Sequence, residues 1–298
     1  MYKEIFGFTE EPFRLTPDPE FFFSSSVHDD AITTLEYAIT KRRGLIVLTG
    51  EVGTGKTTLI RVLLDKLVDT ESALILNPFL SPDEILKAIA RDFGIDVDRV
   101  SDRGELFDIL RNHVINLYRD GKNALIVIDE AQHLSFESLE MIRQISNIEM
   151  EDAKLVQVLL SGQAELIKKL NKPEYRQIRQ RIAYWIYLKP LNFEDTRNYI
   201  NYRVHQALKY KRYVFKDAAI KKIYRATRGN PREINQVADL SLMVAASNGR
   251  KYVTASDVRK AASEYYRFSS KKRKGFYYFA LFVILLVIVI AYVFIWRG

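Results

Sequence analysis

Gly50-Glu51-Val52-Gly53-Thr54-Gly55-Lys56-Thr57 matches the pattern G-x-x-x-x-G-K-[ST] in full. Ahead of it, Leu45–Thr49 is a short apolar run bounded by Gly44 and Gly50, which reads as a buried parallel strand. Behind it, Leu59–Leu67 predicts a helix. In a strand–loop–helix unit of this kind the glycines let the backbone curl until its N–H groups point at phosphate oxygens. The N-terminus of the helix adds a partial positive charge. Lys56 is expected to reach the β- and γ-phosphates of ATP, and the Thr57 hydroxyl to ligate Mg²⁺. Glu51, Val52, Thr54 and Thr58 belong to the same nucleotide-contacting stretch.

Working outward, Leu125-Ile126-Val127-Ile128-Asp129-Glu130 supplies a second buried strand that ends in two acids. It delivers Asp129 to the C-terminal edge of a parallel sheet, where ligands of open α/β sheets bind. Asp129 is expected to hold Mg²⁺ through water, and Glu130 to act as general base on the attacking water. Further strands are predicted at Ala73–Leu76, Leu155–Leu160 and about 184–188. Helices are predicted at about 27–41, from Pro82 to near Gly94, and at about 104–119. Ser81, Pro82, Asp83 and Glu84 together form a helix-start signal. Strands alternating with helices imply a parallel sheet covered on both faces.

After Pro190 the pattern changes. Segments 193–209, 216–227, 231–247 and 254–266 have helical period with no strand between them, and Thr254 with Asp257 resembles a capping box. The expected organisation is an α/β nucleotide-binding domain over 1–190, a small helical lid over 191–267, and a basic linker over 268–275. Residues 276–296 are 21 consecutive residues without charge, Pro or Gly, enough at about 1.5 Å each to span a bilayer core of about 30 Å. Tyr277, Tyr278, Tyr292 and Trp296 sit where interfacial rings belong, and Lys271–Lys274 mark the cytoplasmic side. One transmembrane helix is therefore expected, with the N-terminal domain in the cytoplasm.

The net charge is +8, but Lys271, Lys272, Arg273, Lys274 and Arg297 stand beside this apolar run. Taking those five from 45 basic residues leaves 40 against 37 acidic ones, so global charge argues against a nucleic-acid partner. The basic-aromatic cluster Lys209-Tyr210-Lys211-Arg212 reads as a solvated helix end. There are no cysteines, which excludes disulfides, thiolate metal sites and cysteine nucleophiles. His28, His113, His133 and His205 have no metal-binding spacing; His133 follows Asp129-Glu130 and so falls near the expected nucleotide, but it reads as a surface or packing residue.

With both nucleotide motifs in hand, the chain resembles the AAA+ ATPases of the general secretion pathway protein A (ExeA) type. The resemblance covers roughly 1–267. It is carried by Asp129-Glu130-Ala131-Gln132, by Pro12-Phe13 … Leu15-Thr16-Pro17-Asp18-Pro19 … Phe21-Phe22-Phe23, by Gly162-Gln163, by Gln180-Arg181-Ile182 and by Gly229-Asn230-Pro231-Arg232. It implies an AAA+ P-loop fold and a membrane-anchored ATPase serving a cell-envelope complex (secretion, pilus or polysaccharide export) at a bacterial inner membrane. It also implies a homo-oligomer and membrane-protein partners. Position by position, it implies a polar sensor at Gln163, an arginine finger reaching a neighbouring subunit at Arg181, with Arg176 and Arg179 as competitors, and a second sensor at Arg232. Members of this type often continue into a peptidoglycan-binding region. A chain stopping at Gly298 is expected to leave that grip to a partner. A distant likeness to transposition target selectors keeps a DNA-associated ATPase as the alternative, beside a slow nucleotide switch.

Overall fold

The computed structural model describes residues 2–15, 21–97, 100, 102–151, 153–210 and 212–267. The apolar run 276–296, the basic linker, Thr16–Pro19 and Lys211 lie outside them. Among the described residues no helix is long and apolar enough to cross a membrane.

The chain divides into two compact units. The first is α/β, built from residues 21–195 together with Asn230–Arg232. The described elements run α1 (Tyr2–Phe6), α2 (Ser26–Thr40), β1 (Leu45–Gly50), α3 (Lys56–Lys66), β2 (Thr70–Ile75), α4 (Pro82–Asp92), α5 (Arg103–Arg119) and β3 (Asn123–Ile128). They continue with α6 (Phe136–Ser146), β4 (Glu149–Met150), β5 (Ala153–Lys154), β6 (Val156–Gly162), α7 (Ala164–Leu170), α8 (Arg176–Arg179) and β7 (Ile182–Leu188). All five predicted strands are present, in a parallel sheet of order β2-β3-β6-β1-β7. The antiparallel β4–β5 pair, α6 and α7 were not anticipated from the sequence.

The central strands are apolar on both faces because helices cover both. Leu45, Val47, Ile126, Ile128, Val158 and Leu160 share one hydrophobic cluster with Ile85 and Ile89 of α4, Leu110 of α5 and Ile142 of α6. Ile46, Leu48, Leu125, Val127 and Leu159 face the other way, onto Leu35 and Ile39 of α2 and Leu59 and Leu63 of α3. The strand period of two is thus visible only in which cluster each residue joins. Truncating one of the leucines or isoleucines, as in Leu159→Ala, is expected to cost about 2–5 kcal/mol through lost burial and the cavity left behind. The signal ahead of α4 is fulfilled: Ser81 accepts from Glu84 N–H while the Glu84 carboxylate accepts from Ser81 N–H at 2.8 Å.

The second unit is helical. Its described residues are 2–15, 196–229 and 233–267. They include most of α9 (Phe193–Leu208), α10 (Asp217–Thr227), most of α11 (Pro231–Ser247) and a helical stretch over 255–267. The Thr254–Asp257 capping box is formed, with Asp257 Oδ2 accepting from Thr254 N–H at 2.9 Å. Burial pushes the Asp257 carboxyl up. The Thr254 donors and the Arg250 guanidinium outweigh that and hold it below the usual range.

The opening residues correct the expected domain boundaries. Residues 2–15 pack with the helical unit, not with the α/β domain to which the 1–190 reading assigned them. Phe6 stacks on Phe8 with centroids 5.5 Å apart, and Phe13 meets Phe215 edge-on at 5.7 Å. The backbone of this proline-broken segment finds partners through side chains: Arg203, itself buried, donates to the carbonyls of Pro12 at 2.6 Å and Arg14 at 3.1 Å. Thr9 N–H donates to the Ala207 carbonyl. An aromatic segment without a period carries no address in its sequence, and its partners are supplied by residues about 190 positions away. In the other direction, Asn230–Arg232 leave the expected 191–267 lid and belong to the α/β unit.

Candidate nucleotide site

The C-terminal ends of β1, β3 and β6 meet at one rim of the sheet. The ladder pairs Ile128 with Leu160 and Thr49 with Gly162. Asp129 and Ser161 therefore stand side by side, one strand from the loop that follows β1.

In that loop Gly53 and Gly55 have φ of +83° and +95°, in the left-handed region that favours glycine. Gly53 is doubly constrained, because a Cβ there would lie 2.6 Å from Arg232 Cβ. Lys56 opens α3 and is buried. Its ammonium donates to the carbonyls of Gly50 and Glu51, each at 3.0 Å. Burial lowers the Lys56 pKa, opposed by the Glu130 and Asp129 carboxylates. Those bonds run to neutral carbonyls of a loop whose motif faces phosphate, so anionic oxygens would be stronger partners for the same ammonium.

Asp129 is buried and fully engaged. Thr57 Oγ1 donates to its Oδ2 at 2.5 Å, while Ser161 Oγ donates to Oδ1 at 2.8 Å. A hydroxyl and a carboxylate oxygen this close form a hard oxygen donor pair, the chemistry that Mg²⁺ takes. Glu130 follows at a positive φ of 52°. Its Oε2 accepts from Gln163 Nε2 at 3.0 Å and from Gln132 Nε2. Gln132 in turn accepts from Gln163 N–H through its Oε1, and Lys169 donates to the carbonyls of Gln132 and Leu134. The carboxylate is thus aimed by two side-chain amides, that of Gln132 being held in turn by the Gln163 backbone N–H.

Asn230 Nδ2 donates to the Val52 carbonyl at 2.7 Å, and Arg232 N–H to the Gly53 carbonyl at 3.3 Å. The Gly-Asn-Pro-Arg phrase therefore grips the outer carbonyls of the loop.

Of the residues singled out in the sequence, Lys56, Thr57, Asp129, Glu130, Gln163 and Arg232 come together here with the loop. Arg181 does not. It precedes β7, whose Ile182 pairs with Leu45 at the start of β1, whereas Leu188 pairs with Gly50. Six residues at about 3.3 Å each put it about 20 Å along the sheet from the loop of its own chain. Arg176, Arg179 and Arg181 are all exposed at that end.

Four partners escaped the sequence reading. Ser161 is a lone hydroxyl in an apolar strand, and that was its one signal. Gln132 and Asn230 lay inside quoted motifs without being assigned a task. His28 has no metal-binding spacing and so no signal of its own in the sequence, and it is buried behind the loop.

Residues 39–170 match a family model described as an AAA domain. Over 265 residues the chain is 38% identical to general secretion pathway protein A of Aeromonas hydrophila, covering 89% of this chain and 48% of that protein. The chain thus spans about half the length of the curated relative it matches. Among solved structures, the Aeropyrum pernix ORC2 protein superposes with a TM-score of 0.62 at 21% identity, over 86% of this chain and 72% of that one. The Walker-type ATPase PABY2304 of Pyrococcus abyssi gives 0.60 at 16% identity, over 89% and 78%. At such identities these two likenesses concern the fold alone.

Proposed function

Because this chain belongs to the AAA+ ATPases related to general secretion pathway protein A, we propose that it binds and hydrolyses ATP as a membrane-anchored oligomer serving a cell-envelope complex. The observation that carries the chemistry is the wiring of the rim: a carboxylate pinned by Thr57 and Ser161 beside a second one aimed by Gln132 and Gln163.

Thr57 and Asp129 would hold Mg²⁺, which when bound neutralises charge on the phosphates. Lys56 would exchange its two loop carbonyls for phosphate oxygens. Glu130 takes the proton of the attacking water, and its two amide partners keep it from swinging away. Gln163 lies between the base and the loop and senses the γ-phosphate or the water. Arg232, beside Gly53, is the second sensor. Arg181 stands too far along its own sheet to assist and serves a neighbouring subunit, neutralising charge that grows in phosphoryl transfer. That division of labour favours an active homo-oligomer.

The apolar run 276–296 behind Lys271–Lys274 supports an inner-membrane anchor, with the ATPase in the cytoplasm. The relative's name supports a secretion-type machine as the client.

Glu130→Gln is the test. Hydrolysis should fall by about 10²- to 10⁴-fold while ATP affinity is kept. Affinity capture from native membranes with this variant in ATP should recover secretion, pilus or polysaccharide-export proteins. Undiminished turnover removes Glu130 as the base. Recovery of nucleic acid and DNA-processing proteins replaces the envelope reading with a DNA-associated one.

A further inference from the structure

Behind the phosphate loop, one histidine is left unused by the chemistry above. His28 lies in the first turns of α2 and is 6% exposed. Its Nδ1 is 2.7 Å from Ser25 Oγ, and its Nε2 is 3.4 Å from the carbonyl oxygen of Thr54. Phe22 covers the ring edge-on at 5.8 Å. A Cβ added to Gly55 would come within 3.2 Å of Nε2, so imidazole and loop are in packing contact.

The partners dictate the tautomer. A carbonyl oxygen only accepts, so Nε2 carries a proton. Burial lowers the imidazole pKa, against the Thr54 bond and the Asp29 and Asp195 carboxylates. The ring is then neutral at pH 7, and Nδ1 is a bare acceptor. Ser25 Oγ must donate to it, leaving its lone pairs for His28 N–H at 3.4 Å. A directed chain results: Ser25 hydroxyl to imidazole to Thr54 carbonyl.

The Thr54 carbonyl and the Gly55 N–H are opposite ends of one planar trans peptide. Holding the carbonyl outward turns the N–H the other way, to the side that the motif presents to phosphate. Left untied, this peptide is free to flip, because Gly55 tolerates φ of either sign and sits at +95°. We propose that His28 is a positioning residue for nucleotide binding, holding the Thr54–Gly55 peptide so that Gly55 N–H faces phosphate. The proposal rests on the ATP-binding reading of the loop.

Full-length protein in detergent, titrated with a fluorescent ATP analogue, tests it. His28→Gln keeps an amide N–H able to reach Thr54, whereas His28→Asn reaches Ser25 but falls short of the loop. A net hydrogen bond of this kind is worth about a threefold to tenfold change in affinity. The dissociation constant should rise by that factor in His28→Asn and stay within about twofold of wild type in His28→Gln, with the two variants melting alike without nucleotide. Equal affinities in the two variants, or an affinity loss that tracks a fall in melting temperature in both, overturns the proposal and leaves the ATP reading intact. Failure of wild type to bind, with Lys56→Ala no different, sinks both.

Discussion

At the C-terminal ends of β1, β3 and β6, Lys56, Asp129 and Ser161 are buried and hydrogen-bonded, whereas at the other rim of the sheet, ahead of β1 and β7, Lys41, Arg43 and Arg181 stand outward. Helix direction separates the two rims. α3 starts at the first rim and offers its N–H groups and partial positive charge there. α2, α5 and α8 end at the second rim, where Lys41, Arg119 and Arg179 meet the partial negative charge of helix C-termini. The first rim is therefore built for anions within the chain. The second is basic for a local reason as well, so a cation there need not be catalytic.

Arg181 is where that distinction is most exposed to test. Arg181→Ala should lower ATP turnover by about 10³-fold or more in assembled protein while leaving nucleotide affinity unchanged. Mixing it with Glu130→Gln chains should restore part of the activity, since each supplies what the other lacks. Normal turnover in Arg181→Ala, with loss in Arg176→Ala or Arg179→Ala, would move the role to a neighbour on the same rim.

At the opposite rim, Gly53→Ala should cost about 1–3 kcal/mol, read by urea unfolding, because a side chain at φ +83° is strained and meets Arg232. Nucleotide binding should weaken with it. Ser161→Ala probes the same rim with an effect of similar size. Losing one donor to a buried carboxylate should destabilise by about 1.5–3 kcal/mol at most and raise the Mg²⁺ concentration needed for half-maximal turnover. Unchanged Mg²⁺ dependence would mean that Ser161 serves folding alone. The smallest effect belongs to the solvated rim, where Lys41→Ala should change the unfolding free energy by no more than about 0.5 kcal/mol. A larger loss there would erase the contrast between the rims.

Much of this was legible in the chain. The loop, Asp129-Glu130, five strands and the helical series after Pro190 all advertise themselves through local pattern, because hydrophobic period and glycine placement act over a few residues. The partners that aim those residues were not legible. Ser161 and Gln132 gain their meaning from strand register and from a turn held by Lys169, neither of which leaves a periodic trace. His28 looked like any histidine until α2 was packed behind the loop.

The sequence by itself determined that a phosphate loop, a carboxylate pair and a parallel sheet exist, since each is specified by neighbours along the chain. Only the tertiary structure decided where residues 2–15 dock, that Asn230–Arg232 reach the phosphate loop, and that Arg181 is remote from its own chain's site. Those outcomes depend on which distant surfaces bury each other's apolar and polar groups, a matter of three-dimensional complementarity that no local pattern encodes.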